Sequence, residues 1–328
     1  MTALLGEDDP THMILTPGAT YGLNMAIWGL GLQLPQGAQI ITSVSEHNAV
    51  LRPLHHLQKL RPDLHITYIG LRAGELDVDA FEQALQRPTR LVALVHASNV
   101  TGRVYDIAPL LARAKEAGAY TVVDAAQSIG HIPVHLAELH ADVVAFPAHK
   151  GLRGPIGVGG LYIRPGVEIE PIFVGGTGKL SDSFYQPDEM PLRLETSTPN
   201  IPAIAGLNAA LRWRETSGND FHEREVQRAA ALRDGVRHIP GIIRYDDDPS
   251  ADYLGTISLK ITNKSVEETG ELLAANYGII CRTGLHCAPL IHAAIGSAPE
   301  GTVRLSCSGF TSEREIDIAL DALTTLAG

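Results

Sequence analysis

The sequence predicts an α/β fold: a mostly parallel, doubly wound sheet in a large domain, with a smaller α+β domain after it. Three observations carry this. Short apolar, β-branched runs alternate with helical stretches through the first two-thirds of the 328 residues. After about Pro199 the style changes to long helices and then a mixture of strands and helices. Polar residues of unusual type sit where the early apolar runs end. The predicted boundaries are residues 1–218 for the large domain and 219–328 for the small one.

Each element has its own signal. "HMILTPG" reads as a strand closed by a glycine turn, and "ATYGLNMAIWGLGLQL" follows with helical spacing of apolar residues. "AQIITSVSEH" is a strand, "NAVLRPLHHLQKL" a helix and "HITYIGL" a strand. "DVDAFEQALQ" is a helix with Asp77 or Asp79 as its N-cap. "RLVALVHASNV", "YTVVDAAQ" and "DVVAFPAHK" are strands, the first two separated by the amphipathic "IAPLLARAKEAGA". "VGGLYIR" is the antiparallel neighbour of the last strand. Beyond it come a helix ending at Gly218, a second long helix over "FHEREVQRAAALRDGVRHI", and the strands "GTISLKI", "IICRTG" and "GTVRLSCS". The helices "SVEETGELLAANYG" and "SEREIDIALDALTTL" complete the chain.

Composition narrows the function classes. A net charge of -11 argues against nucleic acid or an anionic membrane as the main partner. No apolar run reaches membrane-span length, and "MTALLGEDDP" lacks the regions of a secretory signal, so the cytoplasm is the expected location. Three cysteines, Cys281, Cys287 and Cys307, make neither a disulfide framework nor a zinc clip, and no metal is expected. No G-x-G-x-x-G or P-loop run points to a nucleotide.

In an open parallel sheet, ligands collect at the carboxyl ends of strands. His47, Asn99, Asp124 and Lys150 all follow such ends, and "TPGAT" lies between a strand and a helix N-terminus. Doubly wound topology is expected to bring all five to one crevice. A lysine amine condenses with an aldehyde. A carboxylate facing a pyridinium keeps it protonated, and a helix N-terminus donates N–H groups to phosphate. Together these describe a site for pyridoxal 5'-phosphate. Singly, each residue also reads as a cap or a turn residue.

The segments "VVDAAQSIGHIPVHL" and "ADVVAFPAHKGLRGPIGVGGLYI" carry a resemblance to the class V aminotransferase and cysteine desulfurase family, fold type I of the pyridoxal-phosphate enzymes. Further matches run from "TPGATYGLN" through "SEHNAVLRP", "HASNVTG" and "ETSTPN" to "CRTGLHCAPL", nearly the whole chain. The last run is similar to the Suf-type desulfurase and selenocysteine lyase branch. The resemblance implies that Lys150 holds the cofactor as a Schiff base, Asp124 pairs with the ring nitrogen, Gln127 bonds the ring hydroxyl and His47 stacks on the ring. It implies that Ala19, Thr20 and His149 contact the phosphate, and that Thr198 reaches the phosphate of a second copy, making a homodimer. Asn99 would lie near the substrate and Arg304 would clamp its carboxylate. Cys287 would accept sulfur from L-cysteine, leaving alanine, and would pass the sulfur to an acceptor protein.

Residue type alone leaves Cys287 open to two readings. It is a packed, inert thiol, or a reactive one served by Arg282 and His286 in a short loop. Cys281 and Cys307 fall in strand-like apolar runs and read as core. The chain departs from the family in four places. It begins closer to the "TPGAT" strand than the family does, so truncation, or supply of the missing piece by another chain, is expected. Pro147 stands where a serine is usual, Ala19 where a threonine is, and Leu285 where a histidine is. The same lysine and aspartate would also serve a selenocysteine lyase, an aminotransferase or an epimerase. A catalytically idle partner protein is the alternative from another class.

Overall fold

The computed structural model describes residues 1–245 and 248–328. It divides into two compact units, one of residues 1–96 and 106–213, the other of residues 97–105 and 214–328.

The first unit alternates as the sequence predicts. In chain order its elements are β1 (Met13–Thr16), α1 (Ala19–Gly31), β2 (Gln39–Ser43), α2 (Asn48–Leu60), β3 (His65–Ile69), β4 (Leu71–Arg72), β5 (Glu75–Leu76), α3 (Val78–Ala84) and β6 (Thr89–Val95). After these come α4 (Ala108–Glu116), β7 (Tyr120–Asp124), α5 (Leu136–Leu139), β8 (Val143–Pro147) and β9 (Gly159–Ile163). The β4–β5 hairpin and α5 are too short to leave a periodic signal. Asp77, not Asp79, caps α3 by accepting the N–H of Ala80.

Seven strands make one sheet in the order β1-β9-β8-β7-β6-β2-β3. β2, β8 and β9 are buried along their whole length, as strands covered on both faces must be. Ile14, Leu23, Ile27, Leu54, Val143 and Leu161 share one apolar core. The strands from β8 to β3 pair in parallel. β9 is antiparallel to both β8 and β1, so β1 runs in the direction of β8. The carboxyl ends of β1, β8, β7, β6, β2 and β3 therefore share one edge of the sheet.

The opposite edge is tied by one carboxylate. Asp142 is buried and accepts the backbone N–H of Thr121 at 2.9 Å and the Nε–H of Arg164 at 2.7 Å. Lys115 Nζ lies 3.5 Å from it.

The expected break at Gly218 does not occur. Helix α6 (Ile201–Arg237) runs through it without interruption. One glycine costs a helix interior only about 1 kcal/mol relative to alanine. Phe221, Glu225, Ala229, Leu232 and Val236 are buried at helical spacing beyond it, and their packing outweighs that cost.

The second unit adds β10 (Ile242–Arg244), β11 (Thr256–Ile261), α7 (Val266–Tyr277), β12 (Arg282–Gly284), α8 (Pro289–Ala294), β13 (Thr302–Ser306) and α9 (Glu313–Ala327). Its strands form an antiparallel sheet, β10-β11-β13-β12, packed with Leu232, Leu273 and Leu323 in a second core. Ser312 and Glu315 close a capping box on α9. Cys307, just after β13, is buried in this core, and Cys281, just before β12, is half-buried and packs against it. Among the described residues no helix is long and apolar enough to cross a membrane.

Removing the buried Asp142 carboxylate strands the backbone N–H of Thr121, while Arg164, partly exposed, falls back on solvent. Asp142→Ala is expected to lower stability by about 2 kcal/mol, the usual cost of leaving a buried donor unpaired. A urea titration reads it; a midpoint within error of the wild type contradicts the assignment.

Candidate active site

At the shared strand edge of the first unit, Asp124 ends β7 fully buried. Its Oδ1 accepts the N–H of Ala126 at 2.9 Å. Burial pushes this carboxyl up from its ordinary range, while the Ala126 bond and the charge of Lys150 pull it down. Lys150 thus acts on Asp124, although it follows a different strand. Two glycines explain how. A Cβ on Gly130, in the loop after β7, would stand 2.3 Å from the carbonyl carbon of Gly151. A Cβ on Gly151 would stand 2.3 Å from the carbonyl oxygen of Ile129. The two loops meet backbone to backbone, a packing only glycine permits.

His47 caps α2: its Nδ1 accepts the N–H of Ala49 at 3.0 Å. That bond leaves the neutral ring with its proton on Nε2. His149 is exposed beside Lys150, and burial and the Lys150 charge both depress its pKa. Gln127 is half-buried in the turn after Asp124.

Ala19 and Thr20 open the 13-residue helix α1, which has no side-chain cap. Among the described residues their backbone N–H groups donate to nothing. A Cβ on Gly18 would meet nothing within 4 Å, so the space before this helix end is open. Behind it, a Cβ on Gly159 would lie 3.0 Å from Gly18 Cα and 2.5 Å from the Phe146 carbonyl. Thr198 is exposed in the irregular segment between β9 and α6.

The remaining predicted residues belong to the second unit. Asn99 does not close β6, which ends at Val95. It lies in a loop where Ala97 bridges Val104 and the Ser98 N–H donates to the Arg103 carbonyl, a turn that takes the chain out of the parallel strand. Its Nδ2 donates to the His286 carbonyl at 2.7 Å, and its own carbonyl accepts from Arg304 Nη1 at 2.8 Å. The Arg304 Nε–H is buried with no hydrogen-bond partner among the described residues. Burial lowers the pKa of Arg304, and Arg282, opposite it across β12 and β13, lowers it further; Cys287 acts the other way.

Arg282 Nη2 lies 3.1 Å from Cys287 Sγ. His286 and Cys287 both adopt left-handed backbone, φ 50° and 62°. A buried chain of bonds holds them there. His286 Nε2 lies 2.8 Å from Thr302 Oγ1, which donates to Ser258 Oγ at 3.0 Å, and Ser258 Oγ donates to the Val100 carbonyl at 2.6 Å. Burial, followed by the charges of Arg304, His292 and Arg282, takes the His286 pKa down to about 3.

Two buried groups escaped sequence reasoning. Glu46 sits at the same strand edge, fully buried, and feels the charge of Asp124. The signal was present: an acidic residue closing an apolar strand in "SVSEH". The Thr302–Ser258 relay left none, since both residues look like ordinary strand hydroxyls.

The family model "Aminotransferase class-V" matches residues 1–319. A protein of Methanothermobacter thermautotrophicus called "Probable cysteine desulfurase" is 32% identical over 324 residues, covering 97% of this chain and 80% of that protein. The apo structure of a cysteine desulfurase from Thermococcus onnurineus NA1 superposes with a TM-score of 0.92 at 31% identity, covering 99% of this chain and 81% of that one. A lysine-to-alanine mutant of C-DES, with glycine covalently linked to its PLP cofactor, superposes with a TM-score of 0.83 at 26% identity, covering 98% and 83%.

The Arg282 guanidinium lies against the Cys287 sulfur. Arg282→Ala is expected to slow alkylation of Cys287 by iodoacetamide about tenfold, the worth of one charge-assisted hydrogen bond. Mass spectrometry of the Cys287 peptide measures it; an unchanged rate contradicts it.

Proposed function

We propose that this chain, which belongs to the class-V aminotransferase family, is a pyridoxal-phosphate-dependent cysteine desulfurase. The observation that carries the reading is the buried Asp124 carboxylate, acted on by Lys150 at the edge where the open N-terminus of α1 lies. A carboxylate out of water needs a cation. The donor set fits the cofactor: an amine for its aldehyde, a buried anion for its ring nitrogen, and helix N–H groups for its phosphate. When bound, pyridoxal phosphate supplies an electron sink for the substrate's Cα and Cβ.

The chain's own residues divide the work. Lys150 holds the cofactor and then, as a free amine, takes the substrate's Cα proton. Asp124 keeps the ring nitrogen protonated, Gln127 bonds the ring hydroxyl and His47 covers the ring. Ala19, Thr20 and His149 hold the phosphate. Arg304 offers its unpartnered Nε–H to the substrate carboxylate, with Asn99 beside it. Cys287 takes the sulfur: a bond forms between its Sγ and the substrate's sulfur as the substrate's Cβ–S bond breaks. Arg282 meets that sulfur with positive charge. Alanine leaves, and a persulfide stays on Cys287 for an acceptor protein.

A second copy is part of this reading. Thr198 is exposed in a segment that also exposes Phe173, Val174, Leu180, Phe184 and Tyr185. A homodimer would cover that apolar surface and bring Thr198 to the partner's phosphate.

Two variants test the assignment. Lys150→Ala should lose the visible absorbance of the tethered cofactor and reduce turnover by roughly a hundred- to ten-thousandfold. Cys287→Ala should bind cofactor as the wild type does, yet release neither sulfide nor alanine from L-cysteine. Full activity in either variant overturns that residue's role.

A further inference from the structure

Glu46 has no part in the roles above, yet it is the most enclosed acid of the first unit's strand edge. We propose that Glu46 is a positioning residue for Asp124: a carboxyl kept neutral beside it, so that Asp124 alone carries the charge at the end of β7. The inference rests on the reading that Asp124 serves the cofactor's ring nitrogen.

The geometry is that of a staple. Glu46 follows β2 with none of its surface exposed. Its Oε1 accepts the hydroxyl of Ser43 at 2.6 Å and the backbone N–H of Val95 at 2.9 Å. Val95 is the last residue of β6, and the next N–H, of His96, donates to the Asp124 carbonyl at 3.0 Å. One side chain thus spans β2 and β6 and, through a single backbone bond, reaches β7. The same residue precedes His47, so it also fixes the turn that presents the imidazole.

Charge decides its protonation. Glu46 Oε2 is buried and has no hydrogen-bond partner among the described residues. An anion there would be unsolvated, whereas a neutral carboxyl with one unmet atom costs far less. The titratable group acting on it is Asp124, on β7, which itself feels Lys150. His96, buried next to Val95, is held neutral by burial, its pKa down at about 4, and offers no countercharge. Burial first, then repulsion from Asp124, push the Glu46 carboxyl up to about 8, against the Ser43 and Val95 bonds that pull it down. Two buried carboxyls, one of which feels the other's charge, do not both ionise readily. Asp124 has the Lys150 charge and Glu46 has none, so Glu46 keeps the proton.

The test compares the cofactor-loaded wild type with Glu46→Gln and Glu46→Ala. Gln preserves size and neutrality. It should leave the pH at which the bound cofactor's absorbance titrates unchanged, and hold pyridoxal phosphate within about threefold of the wild type. Ala leaves Ser43 and Val95 without their acceptor and should weaken cofactor binding by about tenfold, the value of one to two buried hydrogen bonds. Infrared spectra of glutamate-labelled protein at pH 7 should show a protonated carboxyl band in the wild type that Gln lacks. A shift of a full pH unit in the Gln titration, or no such band in the wild type, overturns the proposal. The wild-type band decides alone if Gln does not fold. A wild type that takes up no cofactor sinks the Asp124 reading and this inference with it; a wild type that loads normally while Gln shifts the titration sinks this inference only.

Discussion

A carboxylate at the end of a central strand, sealed from water, organises the first unit. Asp124 ends β7, between β6 and β8 in the sheet order. Parallel pairing and the two antiparallel contacts of β9 put six strand ends on its edge, and Lys150, which acts on its charge, follows one of them. The Gly130–Gly151 contact brings the Lys150 loop against the Asp124 loop. A Cβ at either glycine would push the two loops apart and carry the lysine away from Asp124. The fold class therefore matters less than the backbone packing at two turns.

The second unit meets the same physics with hydrogen bonds instead of countercharge. Left-handed backbone at a residue other than glycine costs about 1–3 kcal/mol. His286 and Cys287 adopt it in succession. The relay from His286 through Thr302 and Ser258 to the Val100 carbonyl holds the first of them, and the Asn99 amide holds its carbonyl. A neutral imidazole suits this, because two guanidiniums already crowd the loop. The cation at the sulfur is Arg282, and the histidine beside the cysteine in sequence is scaffolding.

Much of this was legible in the sequence. Apolar runs marked β2, β6, β7 and β8 because buried parallel strands tolerate little else, and the residues at their ends marked the edge. α2 could be bounded to the residue, since its amphipathic pattern and its turn residues agree. What stayed hidden depended on distant packing. Helix α6 passes Gly218 because residues beyond it are buried at helical spacing, which no local propensity reveals. Asn99 sits in a loop that pairs with itself rather than extending β6, a choice made by the Ala97–Val104 bridge. Glu46 acquires its meaning only from its burial, which the sequence does not show.

The departures in the phosphate turn read differently once the backbone is in view. On the proposed reading, Ala19 and Pro147 stand where the resemblance leads one to expect two phosphate-binding hydroxyls. Each missing hydrogen bond costs about 1 kcal/mol, so the pair amounts to roughly thirtyfold in affinity. What remains at this edge is the uncapped N-terminus of α1, with the Ala19 and Thr20 N–H groups unspent among the described residues and open space before Gly18. Those donors belong to the main chain, and no substitution other than proline removes them. The helix dipole adds to them, and a dianionic phosphate gains more from both than a neutral hydroxyl acceptor would. Pro147 ends β8 at its pairing with Gly159, where β8, β9 and the Gly18 turn already approach as closely as their backbones allow. On the proposed reading, then, the phosphate is held by architecture more than by side chains, and the amine of Lys150 adds a covalent anchor that hydroxyl losses do not touch.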